Sequence, residues 1–137
     1  MANGTIAFDT LQTSGQIESR TTGLSLDTDY LVHGTNKVWV NFDGSASSIS
    51  PSDSLNVTSL TDNGTGDYTV TINNDFSAAT YACPISVGSG SGAGRYIGTI
   101  KDTVRAAGSC VFFSLQSSSG SALDAPDYNI SFQGELA

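Results

Sequence analysis

A chain of 137 residues with a net charge of -8 and only 13% charged positions has length for one β domain and a short extra segment, and not for two ordinary domains. An acidic surface repels phosphate backbones, and the basic residues Arg20, Lys37, Arg95, Lys101 and Arg105 are scattered, which excludes a nucleic-acid groove. No apolar run approaches the ~20 residues of a bilayer-spanning helix, so no membrane partner is expected.

Met1-Ala2-Asn3 opens a polar segment with neither the basic start nor the apolar stretch of a secretory signal, which places synthesis in the cytosol. Residues 1–36 hold apolar residues without aromatic density and are read as an extended N-terminal arm for attachment or contact between subunits. From Lys37 onward, period-two alternation dominates, as in half-buried antiparallel strands. Val38, Val40 and Phe42 alternate with Trp39 and Asn41. Ser-rich Gly44 to Ser54 reads as a surface loop, and Leu55 and Val57 resume the alternation.

Asp62-Asn63-Gly64-Thr65-Gly66-Asp67 lies between two alternating runs, where Asn-Gly suits the positive φ angles of a hairpin turn. Tyr68, Val70 and Ile72 share one face, as do Tyr81, Cys83, Ile85 and Val87. Gly88 to Gly94 reads as a flexible loop. Val111, Phe113 and Leu115 form the next set, Ser117 to Ala125 a further loop, and Tyr128, Ile130 and Phe132 the last strand. The fold expected is all-β: an antiparallel β-sandwich or jelly-roll-like domain over residues 37–137.

Catalytic and metal chemistry find little footing. Glu18 and Glu135 are the two glutamates, both near the ends, and most Asp residues sit in turns beside Gly, Ser, Thr or Asn, so a glycosidase carboxylate pair is not expected. His33 is the lone histidine, and no GxSxG elbow presents a serine. Asp62, Asn63 and Asp67, like Asp27 and Asp29, lack the spacing of a calcium loop and read as solvated turns. No enzyme activity, cofactor or metal is expected. Cys83 and Cys110 both fall in expected strands and could pair with each other, with two buried free thiols as the preferred reading in a reducing cytosol. The thin core predicts a homo-oligomer, since small chains gain stability by burying surface between subunits.

The stretch Lys37-Val-Trp-Val-Asn-Phe-Asp-Gly44, followed by Asn56-Val-Thr-Ser-Leu-Thr-Asp-Asn-Gly-Thr-Gly-Asp-Tyr-Thr-Val70, resembles a motif of virion appendage proteins of marine and cyanobacterial phages, tail-fibre-like or head-decoration-like. The resemblance is strong over residues 37–82, and the opening Gly4 to Gly15 is similar to the short N-terminal pieces of such proteins. It implies a virion location and an oligomer; in the leading reading the copies form a trimer and dock on other capsid or tail proteins. Two versions follow: a tail-fibre or tail-attached protein, or a capsid decoration or cement protein.

Trp39, a large ring on an otherwise polar face, needs cover from the domain's own second sheet or from another subunit. With Phe42, Tyr81 and Tyr96 it makes the candidate set for an interface or for glycan contact. The competing reading is a carbohydrate-binding module that recognises the host cell surface.

Overall fold

The computed structural model of the chain describes residues 33–88, 96–101 and 104–137. The arm expected over residues 1–36 therefore lies, up to residue 32, outside the described residues, as does nearly all of the Gly88 to Gly94 loop. The sandwich itself begins at Asn36, one residue before the expected start.

Among the described residues eight strands build two antiparallel sheets: β1 (Asn36–Phe42), β2 (Pro51–Leu55), β3 (Val57–Gly64), β4 (Asp67–Ile72), β5 (Ile85–Gly88), β6 (Tyr96–Ile100), β7 (Ser109–Gln116) and β8 (Asp127–Gln133). Sheet A runs β2-β1-β8-β5 and sheet B runs β3-β4-β7-β6. The chain stays in one sheet for the β1–β2 and β3–β4 hairpins and crosses over between them at Asn56. That residue takes the left-handed conformation (φ 57°) that Asn tolerates better than most side chains. Its amide fixes the crossover by accepting from Asn74 N at 2.8 Å and donating to Asn74 O at 3.1 Å.

The alternation read from the sequence sets the inner faces of three strands. Val38, Val40 and Phe42 of β1, Tyr68, Val70 and Ile72 of β4, and Tyr128, Ile130 and Phe132 of β8 all point between the sheets and are buried. β7 has the opposite parity: Cys110, Phe112 and Ser114 are buried, which turns Val111, Phe113 and Leu115 outward. The inward Ser114 is tolerated because its hydroxyl bonds the Tyr128 hydroxyl and the Leu123 carbonyl.

One end of the sandwich is closed by a polar knot around this aromatic core. The Tyr68 hydroxyl lies 2.6 Å from the Asp124 carboxylate and 2.9 Å from the Gly44 carbonyl, and Gly66 N donates to the same carboxylate at 2.6 Å. A Cβ on Gly44 would come within 2.5 Å of the Tyr128 ring and 2.6 Å of the Tyr68 hydroxyl, so no larger residue fits the close approach. The β3–β4 turn forms where the sequence places it. Its positive φ angles fall on Gly64 (134°) and Gly66 (69°), and Asn63 keeps an ordinary backbone while its amide bonds Thr69 Oγ1 at 2.9 Å.

Two strands arise where the sequence reads otherwise. β2 occupies the end of the expected Gly44 to Ser54 loop, and β6 lies in a stretch without recognisable alternation. Both are short edge strands. Pro51 and Asp53 on β2 blunt an edge that would otherwise pair with another chain.

Candidate functional site

The inward side chains leave two outer faces, and they differ in chemistry. On sheet A the antiparallel register places Leu55, Trp39 and Ser131 side by side across β2, β1 and β8. One step along, Asp53, Asn41, Asn129 and Ser86 form a second row across all four strands. Trp39 is half-buried, and Leu55 beside it is 48% exposed. Because Ser131 is small, the sheet surface sinks between Trp39 on β1 and Pro84 and Ser86 at β5, with Ser131 and Asn129 on its floor. The resulting trough has a volume of about 370 Å³.

The polar side of the trough is held in place by its own hydrogen bonds. Asn41 Nδ2 donates to Asp127 Oδ1 at 2.8 Å and to Asn129 Oδ1 at 2.9 Å, and Asn129 Nδ2 donates to Asp127 Oδ1 at 3.0 Å. These bonds orient both amides and leave one N–H of Asn129 without a bond inside the cluster. A second hollow of about 260 Å³ is lined by His33, Phe76, Ser77, Thr80, Tyr81 and Glu135 and lies against the start of the described chain.

The outer face of sheet B is apolar along β7 and β6. Leu115 pairs with Ile97, and Phe113 with Thr99 and Asp67. Ile97 is 50% exposed. Lys101 forms an ion pair with Asp67 and lies 5.5 Å over the Phe113 ring.

The four residues singled out from the sequence do not gather into one site. Trp39 lies on the outer face of sheet A and lines the trough. Phe42 has the opposite parity and is 1% exposed in the core, so it contacts neither a partner nor a glycan. Tyr81 lies apart from Trp39, at the wall of the second hollow. It is buried, its ring stacks on Phe76 at 4.4 Å, and its hydroxyl lies 2.9 Å from Ser109 O and 3.1 Å from Ala106 O. Tyr96 opens β6 half-buried and packs against the margin of the core, away from Trp39. Tyr68 and Tyr128 are likewise core residues.

What sequence reasoning missed are Pro84, Ser86, Asn129 and Ser131, which enter the site through strand pairing rather than through any local motif. The turn that suggested calcium uses its oxygens internally: Asp62 Oδ1 accepts from Gly64 N at 2.9 Å, and Asp67 is paired with Lys101.

Cys83 lies just before β5 rather than in a strand, and its sulfur is 3.9 Å from that of Cys110 on β7, both as thiols. Hydrogen bonding to Cys110, and then burial, push the Cys83 thiol up, which suppresses the reactive thiolate. Iodoacetamide at about pH 8 is expected to leave Cys83 unmodified in the native protein and to alkylate it once urea unfolds the chain. Mass spectrometry of the two digests checks this, and rapid native labelling would mean that the thiol reaches solvent.

Compared with protein-family models, curated proteins and solved structures, the chain matches none of them.

Proposed function

We propose that the chain is a bacteriophage virion structural protein, an oligomeric external appendage without enzymatic activity. The observation that carries the reading is the outer face of sheet B. A solvated antiparallel sheet ordinarily alternates apolar-in with polar-out. Here Val111, Phe113, Leu115 and Ile97 stand on the outside, an arrangement suited to burial against another subunit. The motif over residues 37–82 adds the virion context, with a tail-fibre or tail-attached protein and a capsid decoration or cement protein as its two versions. Other capsid or tail proteins are then the docking partners, and a trimer is the first stoichiometry to test.

Light scattering behind gel filtration is expected to show an oligomer at micromolar concentration. The double variant Ile97→Asp, Leu115→Glu is expected to raise the dissociation constant at least tenfold with an unchanged circular dichroism spectrum. A wild-type monomer at high concentration overturns assembly through this face. The copy number in purified particles, measured by quantitative mass spectrometry against the major capsid protein, tests the location. Near-parity supports decoration, a few copies per particle support a tail component, and absence overturns the virion reading.

A further inference from the structure

We propose that the trough beside Trp39 on sheet A is a binding site for one uncharged sugar residue of a surface glycan. This goes beyond the assembly reading and does not depend on it. A sugar ring presents an apolar C–H face and a rim of hydroxyls, and the trough offers the matching halves. Trp39 supplies a large flat apolar wall, and Ser86, Ser131 and Asn129 supply hydrogen-bonding groups on the floor and far side.

The dimensions agree with a single ring. β8 separates β1 from β5, and neighbouring strands lie about 4.8 Å apart, so the walls stand roughly 9.6 Å apart. The volume of about 370 Å³ is at the small end of ligand sites, which span roughly 300–1,000 Å³. The Asn41–Asp127–Asn129 cluster fixes the Asn129 amide before any ligand arrives, which lowers the ordering cost of binding.

Charge selects the class of sugar. Among the described residues no lysine or arginine lines the trough, Asp53 and Asp127 stand on the same face, and the chain carries a net charge of -8. An acidic sugar would be repelled, and a neutral hexose or N-acetylhexosamine is not.

The two faces of a sandwich point in opposite directions. If copies associate through sheet B, each trough stays uncovered and faces away from the partner. A site that is weak alone then gains about 10²- to 10⁴-fold in avidity on a multivalent glycan surface. That gain rests on the assembly reading, whereas the single-site affinity does not.

Trp39 is the chain's single tryptophan, so its fluorescence reports this site alone. The full chain is screened on an array of neutral and acidic oligosaccharides. The best neutral binder is then titrated in solution while Trp39 emission and acrylamide quenching are followed. A saturating blue shift with protection from quenching is expected. Trp39→Ala is expected to cut the array signal at least tenfold. Ser131→Tyr, which fills the floor and keeps the reporter, is expected to cut the affinity similarly without changing the circular dichroism spectrum. The Ile97→Asp, Leu115→Glu variant is expected to keep the solution affinity and lose only array avidity, which separates failure of assembly from failure of the site.

The proposal is overturned if no neutral sugar binds, if acidic sugars bind better, or if both trough variants bind like the wild type. It is also overturned if Trp39 is fully shielded from acrylamide without sugar. Shielding independent of protein concentration would identify residues 1–32 of the same chain as the occupant, and shielding that grows with concentration a second copy.

Discussion

Phe42→Ala is expected to lower stability by about 3–5 kcal/mol, the usual cost of emptying a buried aromatic site. Phe42 stands at the centre of the aromatic core. It stacks on Tyr128 with centroids 4.7 Å apart, meets Tyr68 edge-on at 5.3 Å and leans on Phe112 at 6.0 Å. These rings come from both sheets, so removing the central one loosens the contact that joins the two layers. Against a total of roughly 5–15 kcal/mol for a domain, the loss takes about a fifth or more of the stability.

Urea unfolding followed by Trp39 fluorescence is expected to show a lower midpoint at unchanged slope. Trp39→Ala, three residues away on the outer face, is expected to cost less than about 1 kcal/mol by circular dichroism, in the range of surface substitutions. A Phe42→Ala loss under about 1 kcal/mol would put Phe42 at the surface and return it to the set of contact residues.

The contrast between these two neighbours shows what was legible in the sequence. Period two separates Val38, Val40 and Phe42 from Trp39 and Asn41 without any structure, and the same rule orders β4 and β8 correctly. It fails on β7 for a physical reason. Both parities of Ser109–Gln116 hold apolar residues, and the inward serine is stabilised by a Tyr128 hydroxyl that no local pattern announces. β2 escapes because its Pro51-Ser52-Asp53-Ser54 run is polar, and β6 because its middle inward position is Gly98, which has no side chain to mark the period and lets Ile85 and Val87 of the facing sheet approach closely. The trough is non-local in the same sense. Trp39 is visible as an isolated aromatic, but Ser131 becomes its neighbour only through the β1–β8 register, 92 positions along the chain.

The motif over residues 37–44 and 56–70 is spent mainly on the fold. Asn56 turns the chain between sheets, Gly66 supplies the β3–β4 turn, Gly44 admits the two tyrosines, and Tyr68 and Val70 fill the core. Of its residues, Trp39 and Val40 line the trough, Val40 being buried and Trp39 half-buried on the outer face. The motif thus serves the scaffold, and on the outer face of sheet A it contributes the Trp39 ring beside Ser131. The Ser and Asn residues beside the ring, rather than the motif, would then set which sugar is held.

Alkaline pH is expected to destabilise the protein, because two buried phenols and a half-buried thiol are held neutral in the folded state. Burial, then the hydrogen bond to Asp124, push the Tyr68 phenol up. Burial, then the neighbouring Cys110, do the same to Tyr81, and the Cys110 hydrogen bond followed by burial does so to Cys83. In the unfolded chain a thiol loses its proton near about pH 8.5 and a phenol near about pH 10. Above those values the folded state binds more protons than the unfolded state, so stability falls as pH rises. Each group contributes up to about 1.4 kcal/mol per pH unit, and all three together roughly 4 kcal/mol per unit above about pH 10. Stability measured by urea unfolding is expected to be flat up to about pH 8, to decline from about pH 9, and to vanish within one to two units above about pH 10. Tyr81→Phe removes one of the three groups and is expected to flatten the decline by about a third, whatever it does to the plateau. Stability that stays level through about pH 11.5 would mean that these groups ionise as readily in the folded chain as in the unfolded one. That outcome would require the Tyr68–Asp124 knot and the Cys83–Cys110 contact to be open to water.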